Sequence, residues 1–240
     1  MSGKSVSTGT DTGKPVERSD SKAVDAFVRQ ARAMATKQQG GGRLVLALDA
    51  TMSRQPTWDL ACNLQGEMFD AVGRTGGLNV QLVYFRGFGE CRASKFVTDT
   101  GALKKLMSSI DCRAGHTQIG KVLSHTLKET ARSKVSALVY IGDAVEESVD
   151  DLADKAGQLG LLGTPVFVFQ EGRDDVAGRA MKEVARLSKG AWFRFDRNAA
   201  DHLARLLSSI AVFATGGLPA LQARDRQEDR LLIEHLRGGT

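Results

Sequence analysis

The stretch that decides the fold is residues 44–53, LVLALDATMS, in which five apolar residues lead into one carboxylate and two hydroxyls. A short apolar run of this kind predicts a strand buried on both faces, as in a parallel sheet. Open α/β sheets bind ligands beyond the carboxyl ends of such strands. We therefore expect a functional site at Asp49, Thr51 and Ser53. Their oxygen atoms suit a hard divalent cation such as Mg²⁺ or Mn²⁺.

Apolar runs and amphipathic stretches alternate from residue 43 onward, which predicts crossover units and a mostly parallel sheet. The link at 86–89 is too short for a helical crossover, so the strand after it should return antiparallel at a sheet edge. We predict a Rossmann-like, doubly wound α/β fold: a mostly parallel six-stranded sheet with one antiparallel edge strand and helices on both faces. The predicted strands are 43–49, 78–85, 91–97, 134–141, 165–169 and 191–195. One predicted helix begins near residue 56, and five further helices are predicted at 99–109, 117–131, 149–160, 174–189 and 199–213.

Three segments flank this alternating region. Residues 1–22 are rich in Ser, Thr, Gly and charge, which predicts a disordered tail. Residues 23–40 form a predicted amphipathic helix, which could pack on the sheet or bind a partner. Residues 218–240 form a predicted helical extension, with packing on the domain and oligomer contact both open.

Composition narrows the function classes. The net charge is +5, and residues 1–42 supply +3 of it, with seven Lys or Arg against four Asp or Glu. No basic stripe interleaved with aromatic residues accompanies that charge, so nucleic-acid binding is not expected. The apolar runs are shorter than the roughly 20 residues that span a bilayer, so no membrane association is expected. Three scattered cysteines fit a reducing compartment, which favours the cytoplasm.

Two further loops place polar side chains at the same predicted edge. Residues 114–120, AGHTQIG, open a predicted helix, where Thr117 could be an N-cap or a cation ligand. Residues 140–147, YIGDAVEE, end a strand, where Asp143 could be a turn residue or a ligand. Glu146 and Glu147 are expected to stabilise the start of the helix at 149–160.

Taken together, the three loops resemble the von Willebrand factor A-type domain. The metal-ion-dependent adhesion site of that family has the pattern Asp-x-Ser-x-Ser, then Thr, then Asp. The matching residues here are Asp49, Thr51 and Ser53, then Thr117, then Asp143. The resemblance covers residues 43–213 and leaves both terminal segments outside it.

The resemblance implies a binding module. In this family the hydroxyls of Thr51, Ser53 and Thr117 would meet the metal directly or through water, while Asp49 and Asp143 would supply negative charge. A coordination position left to water can then accept an acidic side chain of a protein partner. Cytoplasmic members often act as adaptors in assemblies that include ring-forming ATPases. The resemblance thus implies a non-catalytic adaptor that uses Mg²⁺ or Mn²⁺.

The sequence departs from the family pattern at several positions. Thr51 replaces the first serine, and His116 and Ala144 stand where glycine is common. Arg54 directly follows the first loop. It is expected either to point to solvent or to bind an acidic partner beside the metal, and His116 is a second candidate for partner contact.

Two other functions compete with the adaptor. A strand that ends in Asp49, with Gly142-Asp143 later, loosely resembles the haloacid-dehalogenase-like phosphatases, in which an aspartate attacks phosphate with the help of Mg²⁺. The second aspartate of that family would fall at Thr51, which removes the general acid. The other alternative is a structural scaffold whose site holds no metal.

Overall fold

A six-stranded sheet forms the centre of the computed structural model, which describes residues 41–57, 78–195 and 200–238. The predicted tail (1–22), the predicted helix at 23–40 and most of the predicted helix near 56 lie outside these residues. The strands are β1 (Arg43–Asp49), β2 (Asn79–Arg86), β3 (Glu90–Ala93), β4 (Ala137–Gly142), β5 (Val166–Glu171) and β6 (Ala191–Phe195). The helices are α1 (Thr100–Ser108), α2 (Ile119–Arg132), α3 (Val149–Leu161), α4 (Asp175–Leu187), α5 (Ala200–Arg224) and α6 (Gln227–Gly238), and a 3-10 helix spans Met52–Thr57.

The strand order is β3-β2-β1-β4-β5-β6, and every pairing is parallel except that of β2 with β3. The predicted fold class and its antiparallel edge strand are therefore confirmed. The chain builds the sheet outward from β1 on one side, then returns to β4 on the other. The topological switch point, where such sheets bind ligands, thus lies at the carboxyl ends of β1 and β4.

Each face of the sheet carries its own core. Leu44, Leu46 and Leu48 of β1 pack in a cluster with apolar residues of α1, α5 and α6. Val45 and Ala47 face the other way and pack with residues of α2, α3 and α4. Because successive side chains of a strand alternate between faces, the apolar run of β1 anchors both cores.

Helix α5 consists of two helical segments that meet at a kink. The first segment runs past the predicted end at 213 to Gly217, which has a φ of 65° and is not helical, and the second segment contains Pro219 and ends at Arg224. The glycine accommodates the kink that Pro219 imposes, which lets the helical segments continue with a change of direction. By length and apolar composition alone, the helix at residues 201–224 could span a membrane, and 44% of its apolar 18-residue stretch is buried in the fold. Its residues Leu203, Leu207 and Ile210 belong to the core, as expected of a core helix.

The last helix packs back on the domain. Leu221 of α5 and Leu232 of α6 are fully buried in the same core cluster, which favours packing over oligomer contact for this part of the extension. Arg224 of α5 joins the two helices, because its Nε donates to Asp229 Oδ2 of α6 at 2.8 Å. Its other nitrogens donate within α5, to Ser208 Oγ at 3.1 Å and Ser209 Oγ at 2.8 Å. We call these four residues the α5–α6 clamp.

Candidate functional site

The loop after β1 fixes the first three predicted site residues. Asp49 is fully buried, and its Oδ1 accepts a hydrogen bond from the backbone N–H of Thr51 at 2.8 Å. The hydroxyls of Thr51 and Ser53 lie 3.1 Å apart. Alternate positions of this loop therefore bring one carboxylate and two hydroxyls together, as the spacing predicted.

The loop before α2 is attached to its neighbours by backbone contacts. Arg113 N donates to Ala50 O at 3.0 Å, and His116 N donates to Gly87 O at 3.3 Å. A Cβ atom at Gly115 would lie 2.1 Å from the Gly87 carbonyl oxygen. Since no side chain fits at that distance, glycine is required for the loop to rest on the β2–β3 turn.

The loops before α2 and after β4 are joined by a reciprocal pair of hydrogen bonds. Glu146 N donates to Thr117 Oγ1 at 3.0 Å, and Thr117 N donates to Glu146 Oε2 at 2.9 Å. Asp143 is the first residue after β4. The N-cap alternative for Thr117 is wrong, because Gln118 occupies that position without a side-chain capping bond. The Thr117 hydroxyl is thus oriented by the loop that carries Asp143.

Glu147 caps helix α2 from a distance in sequence. Its two carboxylate oxygens accept from Ile119 N and Gly120 N, each at 2.7 Å. These are orphan donors of the first turn, and a carboxylate is favoured at that end of the helix dipole. The expectation that Glu146 and Glu147 serve the start of α3 is therefore wrong. Sequence reasoning missed this role because the cap comes from 27 and 28 residues away.

The two predicted carboxylates each keep a buried oxygen atom that lacks a donor. Within the part of the chain that the structure describes, neither Asp49 Oδ2 nor Asp143 Oδ1 has a hydrogen-bond partner. The buried hydroxyl of Tyr140, on β4, has none either. Burial raises the pKa of Asp49 to about 6, although hydrogen bonds from Thr51 lower it, and the charge of Asp143 adds to the rise. Both carboxylates therefore lie in a place that favours a positive charge.

Arg54 supplies one such charge from inside the fold. Its residue is 1% exposed, so the expectation that it points to solvent is wrong, and its side chain cannot reach a partner from this position. The guanidinium is ion-paired with Glu171 at the end of β5. Burial lowers the pKa of Arg54, while the charges of Asp143 and Asp49 oppose that shift. We call Asp49, Arg54, Asp143 and Glu171 the switch-point cluster.

The rim of the site is exposed and partly apolar. His116 is mostly exposed and its Nδ1 lies 3.1 Å from Glu146 Oε2. Its ring contacts Phe88 edge to face, with ring centroids 5.2 Å apart. Phe88 is 81% exposed and Met52 is 52% exposed. The rim thus presents an aromatic pair and a methionine beside the predicted metal residues.

An open groove lies on the flank of the fold, between β3 and helices α2 and α3. Its walls carry charges of both signs, including Lys121, Lys128, Glu147 and Asp151. The predicted site residues do not line it. We favour the switch point as the functional site, because the buried carboxylate oxygens without donors lie there.

Sequence comparison alone identifies no relative: no family model matches the chain, and no curated protein matches it. Solved structures do match. A von Willebrand factor type A structure from Catenulispora acidiphila superposes with a TM-score of 0.61 at 16% identity, over 74% of this chain and 43% of that one. The chain thus spans less than half of that structure.

Two further matched structures are covered by this chain over nearly their whole length. A structure described as the SpRpn10 VWA domain gives a TM-score of 0.56 at 9% identity, over 68% of this chain and 93% of that one. An aerotolerance-related membrane protein from Bacteroides fragilis gives a TM-score of 0.53 at 18% identity, over 70% of this chain and 98% of that one. As the motif resemblance implied, the chain has the fold of a von Willebrand factor A-type domain.

Proposed function

We propose that this chain is a divalent-cation-dependent protein-binding module that captures an acidic residue of a partner. One observation carries the proposal: Asp49 Oδ2 and Asp143 Oδ1 are buried without hydrogen-bond donors in the described residues. Carboxylate oxygens in that condition are costly unless a cation satisfies them. They lie at the switch point, where the fold favours a ligand.

The donor set fits Mg²⁺ or Mn²⁺. Hard cations of this type prefer carboxylate, hydroxyl and water oxygens, and the Thr51, Ser53 and Thr117 hydroxyls accompany the two carboxylates. No cluster of three or more His, Cys, Asp or Glu side chains suited to a metal occurs among the residues described, so the hydroxyls are essential to this site. When bound, the cation would supply a coordination position for a carboxylate of the partner.

The rim supports a protein partner. Phe88, His116 and Met52 expose aromatic and thioether groups beside the site, and such groups are enriched at protein interfaces. Structures with this fold include one described as the human COPII-coat protein Sec24c and one described as a pilus adhesin from Lactobacillus rhamnosus. We infer that the partner contacts the rim while its carboxylate approaches the cation. An adaptor role, in the cytoplasm and in an assembly such as that of a ring-forming ATPase, remains part of this proposal.

Catalysis is not part of the proposal. The phosphatase alternative needs Asp49 as a nucleophile and a second acid at position 51, where this chain has threonine. Asp49 is fully buried, which is unfavourable for attack on a phosphate ester. Incubation with a generic phosphate ester and Mg²⁺ tests this point. If the wild-type protein turns over the ester and Asp49→Asn abolishes this activity, the phosphatase alternative would be favoured.

A metal-free scaffold is the second candidate, and the burial of Arg54 beside the carboxylates favours it. Affinity capture from the native cell separates the two functions, using wild-type protein, Asp49→Ala and the surface control Asp154→Ala. We expect chelator and Asp49→Ala each to release the same partners, while Asp154→Ala retains them. A partner set that is indifferent to both treatments would overturn metal-mediated binding.

A further inference from the structure

Arg54 occupies an unusual place for an arginine. It lies in the 3-10 helix directly after the Asp49 loop, where its backbone N–H donates to Thr51 O at 3.0 Å. Its side chain is among the largest fully buried ones in the described structure. A guanidinium stays protonated in proteins, so this position holds a permanent positive charge inside the site.

The charges around Arg54 come from three adjacent strands. Asp49 ends β1, Asp143 follows β4 and Glu171 ends β5, and these strands are neighbours in the sheet. Glu171 is ion-paired with Arg54, and the charges of Asp143 and Asp49 act on the same guanidinium. Three carboxylates thus face one internal cation, and two of them are the carboxylates that a divalent cation would need.

A tethered cation and a free cation compete for the same negative charge. Like charges within several ångströms repel, and the repulsion is stronger in a partly buried site than in water. We propose that Arg54 is a built-in counter-ion of this site, which offsets part of the negative charge of Asp49 and Asp143 in the metal-free protein and weakens divalent-cation binding at least tenfold. This inference rests on the proposed metal dependence of the site. Its consequence is a module that stays folded without metal and loads metal only at high cation concentration.

Calorimetric titration of the full chain with Mn²⁺ and with Mg²⁺ tests this role. We expect Arg54→Met to lower the Kd for Mn²⁺ at least tenfold relative to wild type. Arg54→Lys keeps the charge and should remain near the wild-type Kd. The matched control is Arg86→Met, because Arg86 lies at the end of β2 but pairs with Glu90 and Asp111. The Kd of Arg86→Met for Mn²⁺ should equal that of wild type.

Thermal unfolding with and without Mn²⁺ covers the case in which Arg54→Met is poorly folded. We expect the metal-free variant to melt below wild type, and millimolar Mn²⁺ to raise its Tm more than it raises that of wild type. A variant that stays unfolded in Mn²⁺ would overturn the inference, since the carboxylates would then need the guanidinium itself. Equal Kd values for wild type and Arg54→Met would overturn it while leaving metal-dependent binding intact. Absence of Mn²⁺ binding by both proteins would overturn both proposals.

Discussion

The switch-point cluster and the α5–α6 clamp both place an arginine beside a buried aspartate, yet they differ in how completely their polar atoms are satisfied. In the α5–α6 clamp, both oxygens of Asp229 accept hydrogen bonds, and Arg224 also donates to two serines. In the switch-point cluster, Asp49 Oδ2 and Asp143 Oδ1 have no donor in the described residues. A satisfied ion pair holds structure, whereas buried oxygens without donors indicate a place where a ligand belongs.

The strongest test of this comparison breaks the α5–α6 clamp. Arg224→Met leaves the fully buried Asp229 carboxylate without its ion-pair partner, and breaking such pairs costs about 3–5 kcal/mol. Urea denaturation at pH 7 measures the loss. Arg230→Met is the control, because its pair with Asp225 is exposed and should contribute less than about 1 kcal/mol. A loss below that level for Arg224→Met would contradict a structural role for the α5–α6 clamp.

Acid should reduce the difference in the free energy of unfolding between wild type and Arg224→Met. Burial raises the pKa of Asp229, but hydrogen bonds from Arg224, Ser209 and the Arg226 backbone outweigh it, so the pKa lies below its ordinary value of 3.8. A lowered pKa in the folded state contributes stability that is present above 3.8 and is lost as the pH falls through the lowered value. The gap between the two urea curves should therefore narrow as the pH falls below that ordinary value.

The cap that Glu147 provides for α2, beside the switch-point site, should stabilise the fold as the α5–α6 clamp does. Glu147→Ala removes both acceptors from the first turn of α2, and the loss of a cap of this kind costs about 1–2 kcal/mol. Asp154→Ala, on the surface of α3, should change the free energy of unfolding by no more than about 0.5 kcal/mol. Equal effects of the two substitutions would show that the distant cap contributes nothing.

A substitution at Asp49, in the centre of the site, should raise the free energy of unfolding of the metal-free protein. In chelator, Asp49→Asn removes one of three carboxylates that face a single guanidinium, and it keeps an acceptor for the Thr51 N–H. We expect the metal-free protein to gain about 1 kcal/mol, since an amide is less costly to bury than a charge. Asp229→Asn should instead lose stability under the same conditions. A clear loss for Asp49→Asn would mean that its carboxylate is already satisfied, and would remove the contrast between the two clusters.

The rim should affect binding and leave stability unchanged. Phe88→Ala truncates an exposed ring and should alter the free energy of unfolding by less than about 0.5 kcal/mol. Leu161→Ala is matched to it as an exposed apolar residue at the end of α3. Pull-down of the captured partners should weaken for Phe88→Ala alone. Retention of the partners by both variants would exclude the Phe88 edge of the rim as the contact surface.

The sequence predicted the sheet well because its strands are apolar runs with clear ends. The bounds of β1 and β6 agree with the prediction, and the short link at 86–89 correctly indicated the antiparallel edge strand. The break at Gly217 and Pro219, with helix on both sides of it, agrees with the prediction. The break between α5 and α6 was missed; there Asp225 adopts a positive φ of 50° and divides the predicted extension into two helices.

The sequence predicted which polar residues share these loops, but not the charges around them. Spacing placed Asp49, Thr51 and Ser53 on one loop, and the motif resemblance grouped Thr117 with Asp143, whose loop holds the Thr117 hydroxyl. The burial of Arg54 was missed because an arginine after a loop is usually exposed, and its partner Glu171 is distant in the chain. Glu147 was missed for the same reason. Long-range partners of charged residues leave no periodic signal in a sequence.

The two faces of β1 also differ in when they can be covered as the chain folds. Helices α2, α3 and α4 cover Val45 and Ala47, and all three precede α5 in the chain. Leu44, Leu46 and Leu48 pack with α1, which comes early, but also with α5 and α6, and α5 begins more than 150 positions later in the sequence. Contacts between distant residues form slowly, because a long loop must close first. The face that α5 covers should therefore be the last to exclude water, and a nascent domain would expose it until the final helices dock.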